Sequence, residues 1–338
     1  MESDKVPLLE VKGLKMYYPV PGGIIPHAVA KIHAVDGLDL NIYEGEILGL
    51  VGESGCGKST LGRLIAGLEQ PTQGQIFYKG ERIDSKSARQ MRKIRAQIQM
   101  VFQDPYSSLN PRKRIYDIIA DPMLYHGLCT KANAGAEVDR LLDLVGLPKN
   151  SKERFPHEFS GGQRQRIGIA RALSLKPKLI ICDEPVSALD VSIQAQILNL
   201  LKNLQKEFHL TYLFIGHGLD AVHYVSNRIA VMYLGKIVEI ADADRLFRNP
   251  VHPYTKALCN AAPIPDPTKR NRDKNILEGE IPSPVIIPSG CRFHPRCPYA
   301  VDQCKRAVPE LAATETDSSH RAACIVFNKN AGKGDADD

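Results

Sequence analysis

The stretch GESGCGKST, Gly52 to Thr60, is built to hold an anion. Gly52, Gly57, Lys58 and Ser59 fill a G-x-x-x-x-G-K-[ST] spacing, with Ser54, Gly55, Cys56 and Thr60 completing the loop. Glycines let successive backbone N–H groups converge on phosphate oxygens. Lys58 is placed to reach the β- and γ-phosphates of a nucleotide, and Ser59 to coordinate magnesium. Far downstream, KLIICDE sets four apolar residues before Asp183 and Glu184. Asp183 sits where a carboxylate holds magnesium through water. Glu184 sits one residue further, where a carboxylate orients and polarises an attacking water. Either acid alone reads as the solvated end of a strand. Paired with the upstream loop, they read as a site that hydrolyses a nucleoside triphosphate.

Such chemistry needs a strand before the loop and a helix after it. AVDGLDLNIYEGEILGLVGESG alternates and then runs apolar, which predicts a strand ending at the loop, and STLGRLIAGLE carries helical spacing. LLEVKGLKMYY predicts an early strand, followed by PVPGGIIPH as a loop. PTQGQIFYKGERI predicts a short strand pair, and RQMRKIRAQIQMVFQD a basic helix leading into a strand. Residues from Tyr106 to Phe159 read as mostly helical, with AEVDRLLDLVGL the clearest amphipathic segment. Then come GGQRQRIGIARAL as a helix, KLIICDE as a buried strand, VSIQAQILNLLKNLQKEF as a helix, TYLFIGH as a strand, and RIAVMYLGKIVEI as a strand pair. Strands alternating with helices imply a largely parallel sheet. APIPDPTKRNRDKN reads as a linker, and KNAGKGDADD, residues 329–338, as a disordered tail.

Composition narrows the class without choosing a function. The 338 residues are 43% hydrophobic and 24% charged, the balance of a globular chain. A formal charge of +6 is too mild to select phosphates, lipid headgroups or nucleic acid as partner. No apolar run approaches the ~20 residues of a membrane-spanning helix. The acidic start MESDKVPLLEVKG carries no secretory h-region, so the protein is expected in the cytosol, with any membrane role carried by partners. Of eight cysteines, Cys56, Cys129, Cys182 and Cys259 are scattered and read as apolar packing. Cys291, Cys297, Cys304 and Cys324 crowd one stretch, with gaps of five, six and nineteen residues. They lack the short C-x-x-C knuckles common in structural zinc sites, and four thiolates also suit an iron–sulfur cluster. The neighbouring His294 and His320 read as loop histidines.

FSGGQRQRIGIARAL, from Phe159, resembles the signature motif of the ABC ATPases, with Phe159 where leucine is usual. Ser160, Gly161, Gly162 and Gln163 would form a second anion-binding helix start. The resemblance implies an ABC-type P-loop ATPase: a RecA-like α/β core, an antiparallel β subdomain and a helical subdomain at about 104–166 within residues 1–260. It also implies a head-to-tail dimer in which the signature closes on the partner's ATP. Gln103 resembles the Q-loop glutamine and ligates magnesium in that picture. Asp190 resembles the D-loop aspartate, and His217 the switch histidine that holds the γ-phosphate. Tyr18 resembles the aromatic that stacks on adenine, with Tyr17 as runner-up. The family usually reads Ser-His-Asp at the switch, where this chain reads Gly216-His217-Gly218.

VGESGCGKSTLGRLIAGLEQPTQG, QMVFQDPYSSLNPR, DEPVSALDVSIQAQILNLL, NPVHPYTKAL and EGEIPSPVIIPSGCRFHPRCPYA together resemble the ATPases of dipeptide/oligopeptide importers. That resemblance spans nearly all of Val6 to Ile325. It implies a cysteine-rich C-terminal extension at 261–328, with a 4Fe–4S cluster on Cys291, Cys297, Cys304 and Cys324 and zinc as the alternative. The implied partners are a second ATPase subunit, usually a different chain, two transmembrane permeases and, indirectly, an extracytoplasmic peptide-binding protein. No nucleic acid is among them. The implied location is the cytoplasmic face of the inner membrane. The competing reading is a soluble ABC ATPase acting on nucleic acid, ribosomes or iron–sulfur assembly.

Overall fold

The structure is a computed structural model and describes residues 6–22, 27–261, 279–315 and 317–332. Strands β1 (Leu9–Gly22) and β2 (His27–Ile42) form a long antiparallel ribbon. Strand β3 (Ile47–Val51) follows, every residue buried, and ends at the phosphate loop. Helix α1 (Lys58–Ile65) leaves that loop. Strands β4 (Gln73–Tyr78) and β5 (Glu81–Arg82) complete a four-stranded antiparallel sheet in the order β2-β1-β4-β5. PVPGGIIPH is therefore not simply a loop, since β1 runs through Pro19 and Pro21 to Gly22. Beyond Lys15 β1 pairs with β2 but no longer with β4, and a one-sided ladder tolerates proline's missing N–H.

Helix α2 (Ala88–Gln97) opens on a Ser87–Gln90 capping box and feeds β6 (Ile98–Val101). Helices α3 (Ile115–Tyr125) and α4 (Ala134–Leu144) follow, then α5 (Gly161–Ser174). Val138, Leu141 and Leu142 recur at the spacing that puts them on one face of α4, and all three are buried with Ile115, Ile119 and Ile167 in one cluster. The stretch before α3 is turns and irregular chain, so helix covers less of Tyr106 to Phe159 than its composition implies.

The central sheet continues with β7 (Leu179–Asp183), helix α6 (Val191–Phe208), β8 (Thr211–Gly216), helix α7 (Leu219–Val225), β9 (Arg228–Tyr233) and β10 (Lys236–Asp242). Strands β6, β7, β8, β3 and β9 are parallel neighbours in that order. Their near-continuous apolar runs fit a sheet covered on both faces. Helices α8 (Ala243–Arg248) and α9 (Pro253–Ala261) close this part of the chain. The linker reading APIPDPTKRNRDKN, residues 262–275, lies outside the described residues.

The C-terminal stretch joins the same sheet. Helix α10 (Asp302–Arg306) precedes strands β11 (Ala312–Thr314) and β12 (Asp317–Ala322), and β12 pairs antiparallel with β10. His320 is not a loop histidine. It lies in β12, 2% exposed, and its Nε2 is 2.7 Å from the Glu239 carboxylate, which is wholly buried. The tail is ordered at its start: Lys329–Gly332 form a short helical turn, Ala331 is buried, and Asn330 Nδ2 donates to the Ala313 carbonyl at 2.9 Å. Residues 333–338 lie outside the described chain.

Candidate functional site

The phosphate loop is shaped by backbone that other residues resist. Gly57 caps α1 with φ 106°, and a Cβ there would lie 1.9 Å from the Ala34 carbonyl oxygen. Cys56 is buried in the core below the loop, and burial pushes its thiol pKa up, so it packs rather than reacts. Ser54 and Gly55 are exposed at the loop's crest. Lys58 is buried, yet its ammonium donates to the carbonyls of Gly52 at 2.8 Å and Glu53 at 3.1 Å. The loop thus holds its own cation in place by two acceptors, which a buried charge requires.

The sheet brings the distant acids to this loop. Strands β3 and β7 both flank β8, so their C-terminal ends lie side by side. Ser59 Oγ donates to Asp183 Oδ1 at 2.8 Å. Burial raises the Asp183 pKa, and the Ser59 hydrogen bond opposes that shift. Gln103, just past β6, donates through Nε2 to Glu184 Oε2 at 2.9 Å. Glu184 has φ 45°, the left-handed region that non-glycine residues enter at a cost. His217 follows β8 directly and is exposed, between the ends of β3 and β7.

The two tyrosines part company. The Tyr18 phenol hydrogen-bonds Glu69 and is also met by the Thr60 hydroxyl at the loop's end. Tyr17 instead bonds Asp36 and packs on His33, ring centres 4.3 Å apart. Tyr18 is the one whose side chain reaches the phosphate loop.

The glycines around His217 have separate causes. A Cβ at Gly216 would lie 2.4 Å from Val222 Cγ2, so serine there requires that valine to move. Gly218 is the N-cap of α7, and a Cβ there would meet no atom within 4 Å. Aspartate would supply a cap acceptor, but glycine at an N-cap costs only a few tenths of a kcal/mol by comparison.

The signature residues are not part of this constellation. Ser160 caps α5: its side chain accepts from Gln163 N at 3.4 Å, and Gln163 Oε1 accepts from Ser160 N at 3.0 Å. Gly161 is exposed beside them, while Gly162 is packed where a Cβ would meet Ile193 at 2.5 Å. Asp190 is exposed at the start of α6 and makes no side-chain cap. Among the described residues no hydrogen bond ties Ser160 or Asp190 to the phosphate loop.

Motif spacing passes over Glu53 and underuses Tyr254. The Glu53 N–H donates to the buried Tyr254 phenol at 2.8 Å, and the Glu53 carboxylate pairs with Arg296. Nothing local marks these contacts; they join segments far apart in the chain.

The four C-terminal cysteines share one neighbourhood. Cys291 N donates to the Cys304 carbonyl at 2.8 Å, and the Cys297, Cys304 and Cys324 thiols lie close enough to act electrostatically on the Cys291 thiol. Burial pushes the Cys291 thiol up to about 11 and also raises Cys297 and Cys324. Backbone N–H groups of Phe293, Tyr299, Val326 and Phe327 counter this by hydrogen-bonding the sulfurs of Cys291, Cys297 and Cys324. Among the described residues, however, no three His, Cys, Asp or Glu side chains stand as a metal-holding group. The ligand set expected on Cys291, Cys297, Cys304 and Cys324 is thus gathered but not assembled at ligating geometry.

A parallel sheet presenting a phosphate loop, a serine-bound aspartate and a following glutamate defines a P-loop ATPase. Comparison with known proteins sharpens this. Residues 35–187 match the ABC transporter family, and residues 238–304 match the oligopeptide/dipeptide transporter C-terminal region. The oligopeptide transport ATP-binding protein AppF of Bacillus subtilis (strain 168) is 50% identical over 325 residues, covering 95% of this chain and 98% of AppF. OppF of Salmonella typhimurium is 50% identical over 329 residues, covering 96% of this chain and 97% of OppF. Among solved structures, the dimeric post-hydrolysis state of the ATP-binding cassette MJ0796 bound to ADP and Pi is similar, with TM-score 0.62 and 28% identity over 70% of this chain and 98% of that one. The chain belongs to the family of ABC-transporter ATP-binding proteins, in the branch that carries the oligopeptide/dipeptide C-terminal region.

Proposed function

We propose that this chain hydrolyses ATP to power peptide import through a membrane transporter. The observation that carries the proposal is a division within the structure. Lys58, Ser59, Gln103, Asp183 and Glu184 converge on one site, while the Ser160 helix start lies exposed and apart from it. A helix N-terminus attracts phosphate, so that exposed start suits a nucleotide held by a second subunit. The similar MJ0796 cassette is dimeric, which supports a paired arrangement. AppF and OppF are named for oligopeptide transport, which favours the transporter over a soluble ATPase working on nucleic acid, ribosomes or cluster assembly.

In this reading Tyr18 stacks on adenine, the loop's N–H groups and Lys58 bind the phosphates, and His217 holds the γ-phosphate. Glu184 accepts a proton from the attacking water, with Gln103 orienting its carboxylate. Asp190 touches the site across the dimer. The Ser59 hydroxyl and Asp183 carboxylate, already 2.8 Å apart, are hard oxygen donors that suit magnesium with its retained waters. When bound, magnesium neutralises charge developing on the phosphates. The second ATPase subunit is a paralogue, and two permeases supply the membrane pathway. Among the described residues no helix is long and apolar enough to cross a membrane. The chain then works peripherally, on the cytoplasmic face of the inner membrane. Co-expressed with its permeases, it should co-purify with them and show ATPase activity stimulated by peptide-loaded binding protein. Failure to co-purify, with ATPase activity indifferent to that protein, refutes the importer reading.

The same proposal includes a 4Fe–4S cluster on Cys291, Cys297, Cys304 and Cys324. The gathered thiols and the N–H groups directed at their sulfurs support it, since such hydrogen bonds stabilise thiolate ligands. Chain purified without oxygen should contain iron, and Cys297→Ser should lose most of it. Equal iron in both, or zinc in its place, rules the cluster out.

A further inference from the structure

The cysteine loop reaches the phosphate loop directly. Arg296 lies between Cys291 and Cys297 in the short turn His294–Arg296. Its side chain is 6% exposed and forks onto Glu53: Nη1 lies 2.9 Å from Oε2 and 3.2 Å from Oε1, and Nη2 lies 3.2 Å from Oε1. Nη1 also lies 3.5 Å from the Tyr233 hydroxyl. Tyr233 packs against Tyr254 and Phe293, with ring centres 4.7 and 5.3 Å away. This aromatic wall keeps water from one side of the pair.

Glu53 is therefore held at two points by the C-terminal part of the chain. Its carboxylate is held by Arg296 and its N–H by the Tyr254 hydroxyl at 2.8 Å. Its carbonyl, in turn, is one of the two acceptors of the Lys58 ammonium. The connection runs from Arg296 through Glu53 to Lys58 in two contacts. Neither Arg296 nor Glu53 belongs to the phosphate-binding pattern itself, in which Glu53 fills an unspecified position.

The geometry points to Arg296 as a positioning residue for ATP binding: it sets the Glu53 peptide unit, and through it the place of Lys58. A bidentate arginine suits this role because its planar fork fixes the carboxylate's orientation as well as its charge. Lysine would keep the charge and lose the fork. In a shielded pair, removing one member leaves the other without its counter-ion, so the loop must rearrange to hydrate Glu53. This inference rests on Gly52–Thr60 being the ATP-binding loop.

The test uses the full chain in its assembled transporter, with KM for ATP and kcat measured separately. Arg296→Met should raise KM about 10- to 100-fold, the scale for misplacing a binding group, with kcat within about twofold. Arg296→Lys should fall between that variant and the parent. Glu53→Gln should reproduce the KM rise, and the double variant should add nothing to it, because both residues act through one contact. An unchanged KM in either single variant overturns the inference, as does a double variant whose KM rise is the product of the two single rises. If Arg296→Met does not fold, Glu53→Gln decides alone, being a loop side chain that keeps its size. Lys58→Ala separates the two levels: persistent ATP turnover in that variant refutes the ATP-loop assignment, whatever Arg296 does.

Discussion

Glutamine in place of Glu184 should all but stop ATP turnover and leave ATP bound, with kcat lower by about 100- to 10,000-fold. The substitution changes little else. Glutamine is isosteric, and its amide oxygen can still accept the hydrogen bond that Gln103 donates at 2.9 Å. The left-handed backbone at this position, φ 45°, is carried by the chain and not by the carboxylate. The hydrogen bond from Glu184 N to the Ile215 carbonyl, 3.0 Å, is likewise untouched. What disappears is the capacity to take a proton from water. Phosphate release under saturating ATP, read beside nucleotide retention after rapid desalting, checks this. A variant that still turns over within about threefold of the parent removes Glu184 from its role as the base, since removing a base costs at least about 100-fold.

Gly57→Ala should weaken nucleotide binding sharply for a wholly different reason. Alanine at φ 106° incurs about 1–2 kcal/mol of backbone strain. Its methyl would also start 1.9 Å from the Ala34 carbonyl, and relieving such overpacking costs about 1–3 kcal/mol more. Both terms fall on the residue that caps α1, immediately before Lys58 and Ser59. The loop will shift sooner than β2, because β2 is tied into a sheet and the loop is not. Gly55→Ala carries the backbone strain without the clash: that glycine also has positive φ, 77°, but nothing lies within 4 Å of its Cβ position. Titration with a fluorescent ATP analogue should show loss of affinity of about 30- to several-thousand-fold for Gly57→Ala and about 5- to 30-fold for Gly55→Ala, following the conversion of about 1.4 kcal/mol per tenfold. Equal losses would mean that the contact with Ala34 is not what matters.

The parts of the site legible in sequence are those whose geometry is local. A phosphate loop is strand, turn and helix in immediate succession, so Gly57, Lys58 and Ser59 declare themselves by spacing. Asp183 and Glu184 are legible because they end an apolar run that forms a buried strand. The helix start at Ser160–Gln163 is likewise written within one turn of helix, and the structure adds its capping box. Pairing is harder to read. The strand through Pro19 and Pro21 has the composition of a loop because its stability comes from β2, not from its own residues. The short C-terminal strands give no periodic signal, yet β12 finds β10, and His320 finds Glu239.

From the order of residues alone came the strand, phosphate loop and helix at Gly52–Thr60 and the acids ending β7, because backbone conformation and hydrophobic period act over a few neighbouring residues, while the ABC class came from the resemblance of the signature motif. Tertiary structure alone decided that Tyr18 and not Tyr17 turns toward the phosphate loop, and that Gly216 makes room for Val222. It alone showed Arg296 gripping Glu53 across 243 residues of chain. Such contacts arise when packed sheets and helices bring remote segments within a hydrogen bond of each other, and no spacing in the sequence encodes that distance.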